Sequence, residues 1–183
     1  INIHKKILIT FGATYIDDPR KGFEFFAKSL ELLKLNYRVL LFGRIYNSEC
    51  LNYINKQEQI NFLGNINCNK TLRNIYSISD VVVAPSIIDN SPNIIFEANA
   101  CETPVVAFNN TGIKDFIVHK ETGWLARNKD FRSLAQGIEW CVKKRNNKFF
   151  RKNCRKYCLE NFSEEKVAKH YIKLYKNLIK KKN

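Results

Sequence analysis

Five short apolar runs set the strongest limit on how this chain folds: KILITFG (6–12), YRVLLFG (37–43), INFLG (60–64), DVVVAPS (80–86) and PVVAF (104–108). GWLA (123–126) is a shorter sixth. They are rich in Ile, Val, Leu and Phe and show little alternation, as strands buried on both faces of a parallel sheet do. Helical patterns fall between them: GFEFFAKSLELLK (22–34), NKTLRNIYSIS (69–79), SPNIIFEANAC (91–101) and DFRSLAQGIEWCVKKR (130–145). Strands alternating with helices imply right-handed βαβ units. The expected fold is α/β, a Rossmann-like doubly wound parallel sheet of about six strands with C-terminal helices. A helix break is expected near Asn161-Phe162-Ser163, where Ser163 caps and Glu164 and Glu165 fill the first turn.

The 183 residues suit a single domain, read as a body over 1–145 and a helical segment over 146–183. With 45% hydrophobic residues the chain is not globally disordered. No apolar run nears the roughly 20 residues of a membrane span. INIHKKILITFG lacks the features of a signal peptide. The start at Ile1 rather than Met reads as a piece of something longer.

The net charge of +14 is uneven: residues 1–140 hold 16 Lys/Arg against 14 Asp/Glu, and residues 141–183 hold 15 against 3. The basic excess is therefore C-terminal, and suits either a solvated helix surface or a polyanionic neighbour. The six cysteines form no Cys-x-x-Cys pair. Cys154 and Cys158 share a helix face but have no companion ligand nearby, so a reducing compartment, the cytoplasm, is expected. His4, His119 and His170 offer no metal spacing, and His119 reads as a surface turn residue. Phosphate-loop, dinucleotide and serine-elbow motifs are absent.

In open doubly wound sheets, ligands bind beyond the carboxyl ends of the strands. Ser91-Pro92 reads there as a helix start, with Ser91 capping and Pro92 at the first helical position. The amides of Asn93 and Ile94 would then face an anion. Glu97 sits one and a half turns in, among Ile95, Phe96 and Ala98, where a carboxylate can accept two hydrogen bonds from a ribose. Arg20 and Lys21, in the loop after the first strand, suit a diphosphate.

These residues resemble the C-terminal, donor-binding half of GT-B glycosyltransferases of family 4. The most specific stretch is APSIIDNSPNIIFEANACETPVVAFNNTGIKDFIVHKETGWLA. The family pattern there is Pro-Ser, then Glu-x7-Glu-Ala, Ala-Cys-Gly-Thr-Pro-Val-Val, Gly-Gly and Glu-x-Gly. The resemblance implies that Glu97 holds the nucleotide ribose and that Asp89, one methylene shorter than the family's first Glu, faces the donor sugar. These two are the candidate catalytic carboxylates, with no covalent nucleophile assigned. Lys21 matches the phosphate-binding Lys. Asn90, Ser91, Asn93 and Ile94 lie where loop amides meet the diphosphate and sugar. Leu63 and Gly64 match the loop that reads the base. Gly12-Ala13 replaces the family's Gly-Arg, for which Arg20 is the expected substitute, and Thr111 stands in the first Gly position.

The implied activity is retaining transfer of a sugar from a nucleoside diphosphate sugar to an acceptor hydroxyl, in lipopolysaccharide O-antigen, capsule or exopolysaccharide synthesis. A UDP-sugar is the expected donor, with GDP-mannose or GDP-fucose still open. No cofactor or metal is expected, because cations and a helix terminus take the leaving diphosphate. The expected partners are the donor, an N-terminal acceptor domain absent from this chain, and a lipid-linked acceptor at the membrane surface. The expected location is therefore cytoplasmic, at the inner face of the cell membrane. Alone, the chain is expected to transfer little or nothing. Another GT-B sugar-nucleotide enzyme, of epimerase or phosphorylase type, is the near alternative. A basic nucleic-acid-binding module is the distant one; no nucleic acid is expected, because the basic residues avoid the strand-end loops.

Overall fold

The computed structural model describes residues 6–110 and 112–180. His4 and Thr111 lie outside the described residues. Among the described residues six strands form one parallel sheet: β1 (Ile7–Tyr15), β2 (Tyr37–Arg44), β3 (Ile60–Phe62), β4 (Val81–Ala84), β5 (Val105–Phe108) and β6 (Gly123–Ala126). Their spatial order is β3-β2-β1-β4-β5-β6. The chain winds outward from β1 in one direction and returns through β4 in the other. The reversal between β1 and β4 is the topological switch point.

Helices cover both faces, because strand side chains alternate. Ile7, Ile9 and Phe11 of β1 point to one side and join Val81, Val83, Val106 and Phe108. On that side lie α1 (Phe23–Leu30) and, after β6, α5 (Phe131–Lys143), through Phe26, Leu134 and Ile138. Val82, Ala84, Val105 and Ala107 point to the other side. There α3 (Asn69–Ile78) brings Ile75 and Tyr76, and α4 (Asn93–Ala100) brings Ile95 and Ala98. Each such apolar side chain, fully buried, contributes about 1.5–3 kcal/mol over exposure. The sheet core therefore outweighs any single surface ion pair.

α2 (Ser48–Asn55), between β2 and β3, was not anticipated from the sequence. Only Ile54 of it is buried, so its apolar periodicity is faint. Its start is fixed locally: the Asn47 side chain accepts from the amides of Glu49 and Cys50, while Asp17 accepts from those of Tyr46 and Asn47. α6 (Lys148–Phe162) and α7 (Glu164–Lys180) meet at Ser163, as the sequence indicates. α6 belongs to the packed body. Phe162 meets Phe96 and Phe116, Cys154 and Cys158 are buried, and Arg151 donates to the Ser79 carbonyl. α7 has no buried residue.

Candidate functional site

After β1 the chain turns through Asp18, whose side chain accepts from the Arg20 amide, into a short 3-10 turn, Pro19–Lys21. Gly22 closes the turn at φ 72°, a left-handed conformation that favours glycine. A side chain there would also fail for space, since a Cβ would come within 2.0 Å of the Pro85 carbonyl oxygen. The turn is thereby pressed onto the loop after β4, and the Ile87 amide donates to the Arg20 carbonyl at 2.7 Å. This contact brings Lys21 to Asp89: Nζ donates to Oδ2 at 2.7 Å, with both side chains partly shielded. Asn110, buried beyond β5, fastens the same loop by donating to the carbonyls of Ser86 and Ile87.

The start of α4 differs from the sequence expectation. Pro92, not Ser91, is the N-cap residue, with φ −72° and ψ 116°, and no side chain caps the helix. Asp89 is the reason. Its Oδ1 accepts from the Ser91 amide at 3.3 Å, which keeps the chain in a turn until Asn93. Asn93 and Ile94 still occupy the first turn, where amides have no acceptor within the helix. On the next turn Glu97 receives a 2.7 Å hydrogen bond from the Tyr76 hydroxyl of α3. Burial, then the nearby Glu97 charge, pushes the Tyr76 phenol far above its ordinary value, so it stays a donor.

These pieces surround a cavity of about 520 Å³ beyond the ends of β1, β2 and β4. That is the size range of small-molecule and cofactor sites. Of the residues singled out in the sequence, Lys21, Asp89, Ser91, Asn93, Ile94 and Glu97 line it together. Four do not. Arg20 turns away, its guanidinium bound to Asp18 and largely exposed. Asn90 is exposed, and its carbonyl packs under Gly112. Leu63 and Gly64 bond to β2, through Leu63 N to Leu41 O and Gly43 N to Gly64 O, and the following Asn65, Ile66 and Asn67 line the wall instead.

Arg44 and Tyr76 also line the cavity and were not anticipated. Arg44 had a signal: it follows Gly43, already marked as a strand end. Arg44, not Arg20, is thus the arginine that joins Lys21 at this cavity, from the strand beside β1. Tyr76 had none, because only the packing of α3 beside α4 brings it to Glu97. Among the described residues no group of three or more His, Cys, Asp or Glu side chains could hold a metal ion.

Strand order, helices on both faces and a cavity at the switch point define a doubly wound α/β domain of the Rossmann-like class. Within that class the chain belongs to the family described as glycosyl transferases group 1, whose family model matches residues 5–144. An uncharacterized glycosyltransferase of Methanocaldococcus jannaschii is 27% identical over 183 residues, covering 94% of this chain and 45% of that protein. A second relative is the N,N'-diacetylbacillosaminyl-diphospho-undecaprenol alpha-1,3-N-acetylgalactosaminyltransferase of Campylobacter jejuni. It is 27% identical over 185 residues, covering 98% of this chain and 47% of the relative. Among solved structures, Anabaena HepE in complex with UDP-glucose superposes with a TM-score of 0.80 at 16% identity, over 96% of this chain and 50% of that one. This likeness carries the GT-B fold. The chain spans about half the length of the proteins it matches.

Proposed function

We propose that this chain is the donor-binding half of a retaining glycosyltransferase of family 4 that uses a nucleoside diphosphate sugar. One observation carries the reading: a single strand-end cavity gathers Lys21, Arg44, the first turn of α4, Asp89 and Glu97. Cations and helix-head amides suit the diphosphate, which gains charge as it leaves. Glu97 suits the ribose and Asp89 the sugar. In this reading the donor diphosphate competes with Asp89 for Lys21, and the carboxylate exchanges that partner for a sugar hydroxyl. No metal is required in this reading, because Lys21, Arg44 and the helix-head amides would face the leaving diphosphate.

The HepE complex with UDP-glucose supports a UDP-sugar as donor. The Campylobacter relative, named for a diphospho-undecaprenol substrate, supports a lipid-linked acceptor, and a capsular polysaccharide biosynthesis glycosyltransferase of Staphylococcus aureus, 30% identical over 57% of this chain, supports a role in surface polysaccharide synthesis. The acceptor site would lie mainly on a further, N-terminal domain. Among the described residues no helix is long and apolar enough to cross a membrane.

Calorimetric titration with UDP and GDP, and with UDP-glucose, UDP-N-acetylgalactosamine and GDP-mannose, tests the reading. Binding of one nucleotide class at one site is expected. Glu97→Ala should weaken it at least about tenfold, the value of a hydrogen bond to a charged group, with the cooperative thermal transition retained. Equal affinity in the variant removes Glu97 from the site, and no binding by the intact chain removes the function.

A further inference from the structure

Tyr76 is a core residue with a polar end in the cavity. Only 2% of it is exposed. Its ring meets Phe42 edge to face at 6.0 Å, and its backbone carbonyl accepts from the buried Thr103 hydroxyl at 2.7 Å. Its hydroxyl donates to Oε2 of Glu97 at 2.7 Å. Among the described residues no other donor reaches this carboxylate. Glu97 itself is exposed, on a helix face that opens to the cavity. A glutamate so placed samples several rotamers, and fixing it costs side-chain entropy. A donor anchored in the core meets that cost before any ligand arrives.

Resting on the reading of Glu97 as the ribose ligand, we propose that Tyr76 is a positioning residue: it holds the Glu97 carboxylate by one oxygen and aims the other acceptor sites at the ribose diol. A carboxylate has about four such sites, so one bond to Tyr76 leaves enough for two hydroxyls. Tyr76 touches no ligand in this arrangement. Its effect is specific to ligands that carry the diol.

The experiment compares UDP with 2′,3′-dideoxyuridine diphosphate, or GDP with its dideoxy analogue where GDP is the tighter ligand, by calorimetry on the 183-residue chain. The wild type should prefer the ribose form. Tyr76→Phe keeps the ring against Phe42 and should weaken the ribose form about tenfold, one charge-assisted hydrogen bond, while leaving the dideoxy form unchanged. In Glu97→Ala the preference is lost, and adding Tyr76→Phe changes nothing further. Glu97→Gln, whose amide oxygen still accepts from Tyr76, should keep more of the preference than Glu97→Ala. Tyr76→Phe weakening both ligands equally, or acting additively with Glu97→Ala, overturns the inference. So does equal loss of preference in Glu97→Gln and Glu97→Ala. A wild type that binds neither diphosphate overturns the functional reading itself, whereas binding with preference intact in Tyr76→Phe overturns only the role of Tyr76.

Discussion

Lys21 and Gly22 are neighbours with different work to do. Lys21 gives one hydrogen bond to Asp89, and a partly exposed pair of this kind adds about 0–1 kcal/mol. Lys21→Gln should therefore leave the urea midpoint nearly unmoved and weaken UDP binding about tenfold, the loss of one cation at a diphosphate. Unchanged affinity would remove Lys21 from the proposed phosphate site. Gly22 makes no such bond, but its left-handed φ and the Pro85 carbonyl leave no room for a side chain. Gly22→Ala should destabilise by at least about 1 kcal/mol and weaken UDP binding as well, because the turn that carries Lys21 must lift off the loop after β4. Stability and affinity thus separate at Lys21 and move together at Gly22. The sequence named Lys21 and Glu97 because each is a charge at a strand end or inside an apolar run, and Asp89 through its place in the resemblance to the family pattern. Tyr76 was hidden because an aromatic at helical spacing reads as core, and its hydroxyl's partner is 21 residues away.

At the scale of elements, what was legible followed burial. β4 and β5 are buried at every position, and their uninterrupted Val and Ala runs mark them plainly. α2 buries one residue and was missed. α4 was found, but its start moved by a residue, because the Asp89 side chain competes for a backbone amide that propensity assigns to the helix cap. α5 shows the cap in its regular form. Asp130 accepts from the amides of Arg132 and Ser133, and Arg127 pairs with its other oxygen. The Ser133 amide leads the interactions that hold this carboxyl below the usual aspartate range. Asp130→Ala should cost about 1 kcal/mol in urea unfolding at neutral pH. The sign with pH follows from the lowered folded value: the cap's contribution is full above the unfolded pKa and fades as pH falls through the folded one. The wild type and variant curves should converge in acid, and a constant difference would show that the charge is not what caps α5.

For the whole molecule, the question is how far along the chain the cavity depends on its surroundings. Among the described residues, all that line the cavity lie between Phe11 and Glu97, yet the helix carrying Glu97 is held from behind by the far end of the sequence. Phe162 packs on Phe96, the Cys158 thiol reaches the Phe96 carbonyl, and Arg155 donates to the Ala100 carbonyl. α7 does the opposite. It buries nothing and lays Val167, Tyr171, Leu174, Tyr175 and Leu178 along one exposed face, with Lys169, Lys173, Lys176 and Lys180 on the other. Ending the chain after Ser163 should therefore leave the affinity for UDP within about twofold of the 183-residue chain, because no cavity contact is lost. Ending it after Arg145 strips the cover from Phe96 and Ala100, exposing apolar area whose burial stabilises the fold at about 25 cal/mol per Å². UDP binding should then be lost together with the cooperative thermal transition. If the shorter chain still bound UDP normally, α4 would be held by the sheet alone and α6 would be an accessory to the domain rather than part of it.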